Sequence, residues 1–143
     1  MRIDEITEAR LRLPKVLYHG TKNTLIPAIL REGLRPELIQ SGGHDRGVFL
    51  ATDAYNAGMY PDHDVGPGEH RVVLAIDVSQ LVPGYFGPDL DDWYGDVDWR
   101  DLDEPEQVQY SLRELGQVVY NDWIPPRAIS VFGNGDDTEA APL

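Results

Sequence analysis

The feature that most constrains the fold of this chain is the run Val72-Val73-Leu74-Ala75-Ile76, inside the strand-like stretch Arg71 to Val78. Uninterrupted apolar residues rich in β-branched side chains suit a strand buried on both faces, and such a strand belongs inside a sheet. The rest of the chain must therefore supply strands to flank it and helices to cover it.

Candidates for both are short. Lys15 to His19 reads as a strand that stops at Gly20, Val48 to Ala51 as a second, Gln117 to Tyr120 as a third, and Ala128 to Phe132 as a last one after the turn Trp123-Ile124-Pro125-Pro126. Helices are expected from Ile3 to Leu11, closed by Pro14, and from an Asn23 or Thr24 cap through Leu25, Ile26, Ile29 and Leu30 to Gly33. Two more run from a Thr52 or Asp53 cap to Tyr60, and from Glu106 to Leu115. Short strands interrupted by short helices, without regular β-α alternation, predict a single α+β domain with a mostly antiparallel sheet. The expected organisation is an N-terminal helical extension over residues 1–14, a domain over 15–133 and a flexible tail over 134–143. Within the domain, the Gly, Pro, aromatic and acidic content of 83–105 predicts a long loop.

Charge and composition narrow the functions. With 12 basic against 25 acidic residues the formal charge is −13, which disfavours a nucleic-acid partner because phosphate affinity comes from Lys and Arg. Much of the acid is local, from Asp89 to Glu106, where Arg100 is the one base. The bland reading of that segment is a solvated loop. The absence of cysteine excludes thiolate catalysis and Cys-ligated metal. No apolar run reaches the ~20 residues of a membrane helix, and the first residues lack the apolar centre of a signal peptide, so a cytoplasmic protein is expected. His44, Asp45, Asp62, His63, Asp64 and His70 show no helical metal-ligand spacing, so no metal is expected. Walker, Rossmann and nucleophile-elbow patterns are also missing.

One set of residues points to chemistry. His19 at a strand end can present a ring nitrogen outward, and the adjacent Gly20 lets a ligand reach backbone N–H and C=O, the donor and acceptor pair a planar carboxamide needs. The string Leu17-Tyr18-His19-Gly20-Thr21, with Ile29-Leu30-Arg31-Glu32-Gly33-Leu34 after it, resembles the opening of ADP-ribosyltransferases related to diphtheria toxin and the poly(ADP-ribose) polymerases. RNA 2'-phosphotransferases share that opening. Val48-Phe49-Leu50-Ala51-Thr52, then Ala57 and Tyr60, resembles the family's second element, a strand, a hydroxyl residue and a helix ending in the nicotinamide-stacking tyrosine. Gln117-Val118-Val119-Tyr120 and Ile124-Pro125-Pro126 resemble the third, in which a glutamate commonly opens the strand. Together the three elements span residues 16 to 132.

The resemblance implies a split antiparallel sheet and NAD as substrate, with ADP-ribose passed to a macromolecular acceptor and nicotinamide released. His19 would bond a ribose hydroxyl, Gly20 the carboxamide, and Tyr60 would stack on the ring, with Tyr18 and Tyr55 as further aromatic walls. Thr21 and Thr52 would line the site, and Arg35 would hold the pyrophosphate, with Arg46 a further base beside the cleft. Gln117 would take the glutamate's place. It departs from the usual residue, since an amide orients a hydroxyl but supplies neither a base nor a negative charge. Glu106 and Glu114 are weaker substitutes. Charge makes protein the favoured acceptor, and a toxin or phage effector is the context analogy suggests. The competing reading is a module on the same fold that binds NAD or ADP-ribose without turnover, or docks a basic partner on its acidic segment.

Overall fold

A computed structural model describes residues 11–36, 47–58, 66–90 and 92–134. Strand β1 is Val16–Lys22, helix α1 Ile26–Glu32, β2 Val48–Ala51, α2 Ala54–Gly58, β3 Arg71–Asp77, β4 Phe86–Pro88, α3 Glu104–Tyr110, β5 Gln117–Tyr120 and β6 Ile129–Asn134. The strands form one antiparallel sheet in the order β4-β5-β2-β1-β3-β6. An α+β domain with an antiparallel sheet is the class expected from the sequence.

The apolar run behaves as its composition demands. β3 lies between β1 and β6, and Val72, Val73, Leu74 and Ile76 are buried. One face of the sheet carries the main core, where Leu17, Leu50, Leu74, Ile76, Val118 and Tyr120 pack with Ile29 of α1, Val108 of α3 and Ile124. The other face carries a smaller cluster, in which Ala54 and Ala57 of α2 cover Ala51 and Val73 beside Tyr18 and Phe132. Alanine on both sides of that contact lets the short helix approach the sheet closely.

Several local expectations are corrected. β1 does not stop at Gly20, because Gly20, Thr21 and Lys22 continue the ladder opposite Val73, Val72 and Arg71. Neither Asn23 nor Thr24 caps α1. Asn23 instead ties the end of β1 to the start of β3, accepting from His70 N–H at 2.9 Å, and the Thr24 hydroxyl donates to Glu69 at 2.6 Å. α3 begins at Glu104 rather than Glu106, because Asp103 and Glu106 form a reciprocal capping box, and its last turn widens to a π turn over Ser111–Leu115. For α2 the expected cap is present, with Asp53 accepting from Asn56 N–H at 2.8 Å.

Among its described residues, which leave out 91, the segment 83–105 is largely irregular but is tied down by short elements and side-chain contacts. It contains β4 paired with β5, the 3-10 turns Pro83–Tyr85 and Trp99–Asp101, and a Trp93 ring stacked on Tyr110 with centroids 4.4 Å apart. Tyr110 Oη donates to Tyr94 C=O at 2.9 Å, Tyr94 Oη to Glu114 C=O, and Gln107 Nε2 to Trp99 C=O at 2.8 Å. Aromatic stacking and these bonds hold the backbone of a stretch whose described acidic side chains, Asp89 apart, stay exposed. Among the described residues no helix is long and apolar enough to cross a membrane.

Candidate functional site

The sheet is two three-stranded halves, β4-β5-β2 and β1-β3-β6, that meet along a seam between β1 and β2. Across that seam the described residues show a single registered pair, Tyr18 with Ala51, whereas β1 pairs with β3 along its whole length. The direction of the backbone groups at the seam follows from the ends of the β1–β3 ladder. Val78 N–H donates to Lys15 C=O at 3.1 Å, and Asn23 N–H to His70 C=O at 3.0 Å. Odd-numbered residues of β1 therefore exchange hydrogen bonds with β3, and even-numbered residues turn their N–H and C=O towards β2. Tyr18 uses that direction to meet Ala51. Gly20, two residues on, aims its N–H and C=O at a part of the seam where β2 offers no registered partner.

His19 is held at the same place. Its Nδ1 lies 2.8 Å from the carbonyl oxygen of Phe49, the residue that a continued β1–β2 ladder would set opposite Gly20. Because a carbonyl only accepts, Nδ1 carries the proton, and in the neutral ring Nε2 is an acceptor. Burial lowers the His19 pKa, against an opposing and smaller effect of the Phe49 carbonyl. The ring is therefore held neutral through physiological pH, the form in which Nε2 can accept an O–H.

A stability prediction follows. The unfolded chain takes up a proton near the ordinary histidine value of 6.5, whereas folded His19 takes it up only at lower pH. The His19 contribution to stability is present above about 6.5 and is lost as pH falls from there to the folded value. Urea titrations from pH 8 to 5 should show this loss, and His19→Gln should remove it. A His19→Gln profile identical to the wild-type profile would assign the acid limb to other groups.

Gln117 enters the site from the other half of the sheet. It opens β5 opposite Ala51, so Tyr18, Ala51 and Gln117 form one row across three strands. Its Nε2 donates to Asp92 Oδ2 at 2.9 Å. Thr52 holds the preceding turn, since both its N–H (2.9 Å) and its hydroxyl (3.2 Å) donate to Gly116 C=O. Asp92 accepts within a closed ring. Its own N–H donates to Asp89 Oδ1 at 3.3 Å, Asp89 N–H donates to Ser111 Oγ at 3.0 Å, and Ser111 Oγ donates to Gln117 C=O at 2.5 Å. Asp89 and Ser111 are both completely buried.

The expected residues thus divide. His19, Gly20 and the Tyr18–Ala51–Gln117 row converge on the seam, although strand alternation sends the His19 side chain to the face opposite Gln117. Tyr18 packs edge-on against Phe132 with centroids 5.2 Å apart, and Thr21 is buried opposite Val72. Thr52 commits its hydroxyl to Gly116. Tyr55 is 48% exposed on α2, and Arg35 is exposed beyond the Leu34–Ile124 bridge. Tyr60, Arg46, His44, Asp45, Asp62, His63 and Asp64 lie outside the described residues. Glu106 serves the α3 capping box, and Glu114 pairs with Arg113 at 3.0 Å. Asp92 is the site residue that sequence reasoning missed. It lies 25 positions from Gln117 inside the acidic run, and no local pattern marks it. A groove of about 450 Å³ lies farther along α3, between Val97, Leu102, Tyr110 and Arg113, and none of the seam residues lines it. No protein-family model and no curated protein matches the chain.

Proposed function

We propose that the chain is an NAD-dependent ADP-ribosyltransferase acting in the cytoplasm, with a protein acceptor. The observation that carries this reading is the seam itself. Gly20 directs one donor and one acceptor into it, beside a neutral His19 whose Nε2 is an acceptor. That pattern suits a carboxamide and a ribose hydroxyl side by side. In the reaction, the bond between ribose C1' and the nicotinamide nitrogen breaks, and its electron pair goes to the nitrogen, which loses its positive charge. An acceptor nucleophile bonds C1' and gives up its proton to solvent. The cation that develops on the ribose ring is what the site must tolerate. Gly20 binds the carboxamide, His19 and Gln117 reach the ribose hydroxyls from the two faces of the seam, and Tyr60, outside the described residues, is the family-expected residue for stacking on the nicotinamide ring.

The second reading, binding of NAD or ADP-ribose without turnover, is favoured by one residue: Gln117 has no charge of its own. A single experiment separates the two. The purified protein is incubated with adenine-labelled NAD, alone and with a cell lysate, while free nicotinamide and labelled macromolecules are measured. Nicotinamide release with label on protein is expected. Calorimetric binding of NAD without release would establish the non-catalytic module, and neither binding nor release would sink both readings.

A further inference from the structure

The glutamine at the head of β5 leaves a chemical gap, because the developing ribose cation needs nearby negative charge. Resting on the transferase reading, we propose that Asp92 is the positioning residue for Gln117, and that the two side chains together do the work of one glutamate. A carboxylate at neutral pH accepts hydrogen bonds and donates none, so the bond from Nε2 to Asp92 Oδ2 decides which way the amide points. The NH2 group is held on Asp92, and Oε1 is turned away from it as an acceptor for the ribose hydroxyl. A glutamine without such a partner rotates freely about its last torsion and offers a donor as readily as an acceptor.

Asp92 is itself kept in place relative to the backbone it serves. The hydrogen-bond ring from Asp92 through Asp89 and Ser111 ends on the carbonyl of Gln117, so side chain and main chain of one residue are referenced to the same buried pair. The Asp92 carboxylate then sits one amide away from the reacting centre, where it stabilises positive charge without touching substrate. The pairing also accounts for glutamine at this position. A glutamate there would face Asp92 at the same short distance, and the two like charges would push each other apart and lose the fixed geometry.

The test is a charge relocation. Nicotinamide release and NAD affinity are measured for the full chain and for Asp92→Asn, Gln117→Glu, the Asp92→Asn/Gln117→Glu double variant and His19→Ala, with thermal melts to verify folding. Asp92→Asn keeps an acceptor for Nε2 and removes the charge, so kcat should fall about tenfold or more with NAD affinity little changed. Gln117→Glu alone should also be slower, and the double variant, with one carboxylate again next to one amide, should recover most of the lost rate. Wild-type kcat in Asp92→Asn, or a double variant no faster than Asp92→Asn alone, overturns the proposal. If that occurs while His19→Ala still stops release, only the role of Asp92 is lost. Absence of release from every form removes the transferase reading and this inference with it.

Discussion

Nicotinamide release by His19→Ala is expected to fall at least about 100-fold below wild type, the scale set by losing a group that orients the reacting partners. The expectation rests on two separate bonds of the imidazole. Nδ1 holds the Phe49 carbonyl where β1 and β2 diverge, and in the proposed transferase Nε2 accepts from the ribose. Truncation to alanine removes both, and the structural part is the small one. Leaving the acceptor of this part-buried hydrogen bond unmade costs about 1–3 kcal/mol, inside the roughly 5–15 kcal/mol that keeps a typical domain folded. The variant should therefore retain the wild-type circular dichroism spectrum, and the lost activity is then chemical. NAD affinity measured by calorimetry should weaken in parallel, because a ribose bond made in the ground state is also lost. A His19→Ala protein that is folded and releases nicotinamide at the wild-type rate would remove the imidazole from the site and leave Gly20 as a coincidence of strand geometry.

The parts of this site legible in the sequence are those written in contiguous residues. Val72 to Ile76 announced an interior strand because burial on both faces needs unbroken apolar sequence, and β3 is that strand. His19 and Gly20 stand out through the string Leu17-Tyr18-His19-Gly20-Thr21 and its resemblance to a family opening, since a lone histidine near a strand end is structural more often than not. What stayed hidden depends on partners distant in the chain. Gly20 reads as a strand breaker, yet the ladder to Val73 carries it through, since pairing on one side suffices to keep a glycine extended. Asn23 reads as a helix cap, but His70 competes for the same side chain from across the sheet. The acidic run reads as solvated, and its described carboxylates other than Asp89 are exposed. The pairing of β4 with β5, the stacking of Trp93 on Tyr110 and the bond of Asp92 to Gln117 nevertheless tie it to the β5 side of the sheet. Charge pattern alone gives no sign of such contacts, because an exposed carboxylate that accepts from a neighbouring amide is written with the same letter as one that meets only water.

The largest effect on stability is expected at Gly33, which ends α1. Its backbone sits at φ 83° and ψ −171°, a region open to glycine and closed to residues with a Cβ. The surroundings add a second obstacle, since a Cβ built there collides with Ile124 C=O and lies 2.6 Å from Trp123 Nε1. Both neighbours are engaged in joining α1 to the turn before β6. Trp123 Nε1 donates to Glu32 C=O at 2.8 Å, and Leu34 and Ile124 exchange two backbone hydrogen bonds of 2.9 Å. Ile124 is also fully buried in the main core, so it cannot move aside without opening a void. Gly33→Ala should therefore lose about 3–5 kcal/mol by urea denaturation, the range reached when backbone strain and a broken buried network coincide. Gly33→Asn should do no better, because asparagine tolerates the left-handed helical region and not an extended ψ at positive φ. Gly68→Ala supplies the internal control. Its φ of 78° is nearly the same, but nothing lies within 4 Å of the added Cβ, so only the backbone term, about 1–2 kcal/mol, should appear. Equal losses at the two glycines would mean that conformation accounts for the whole effect and that the Trp123–Ile124 clamp yields at no cost.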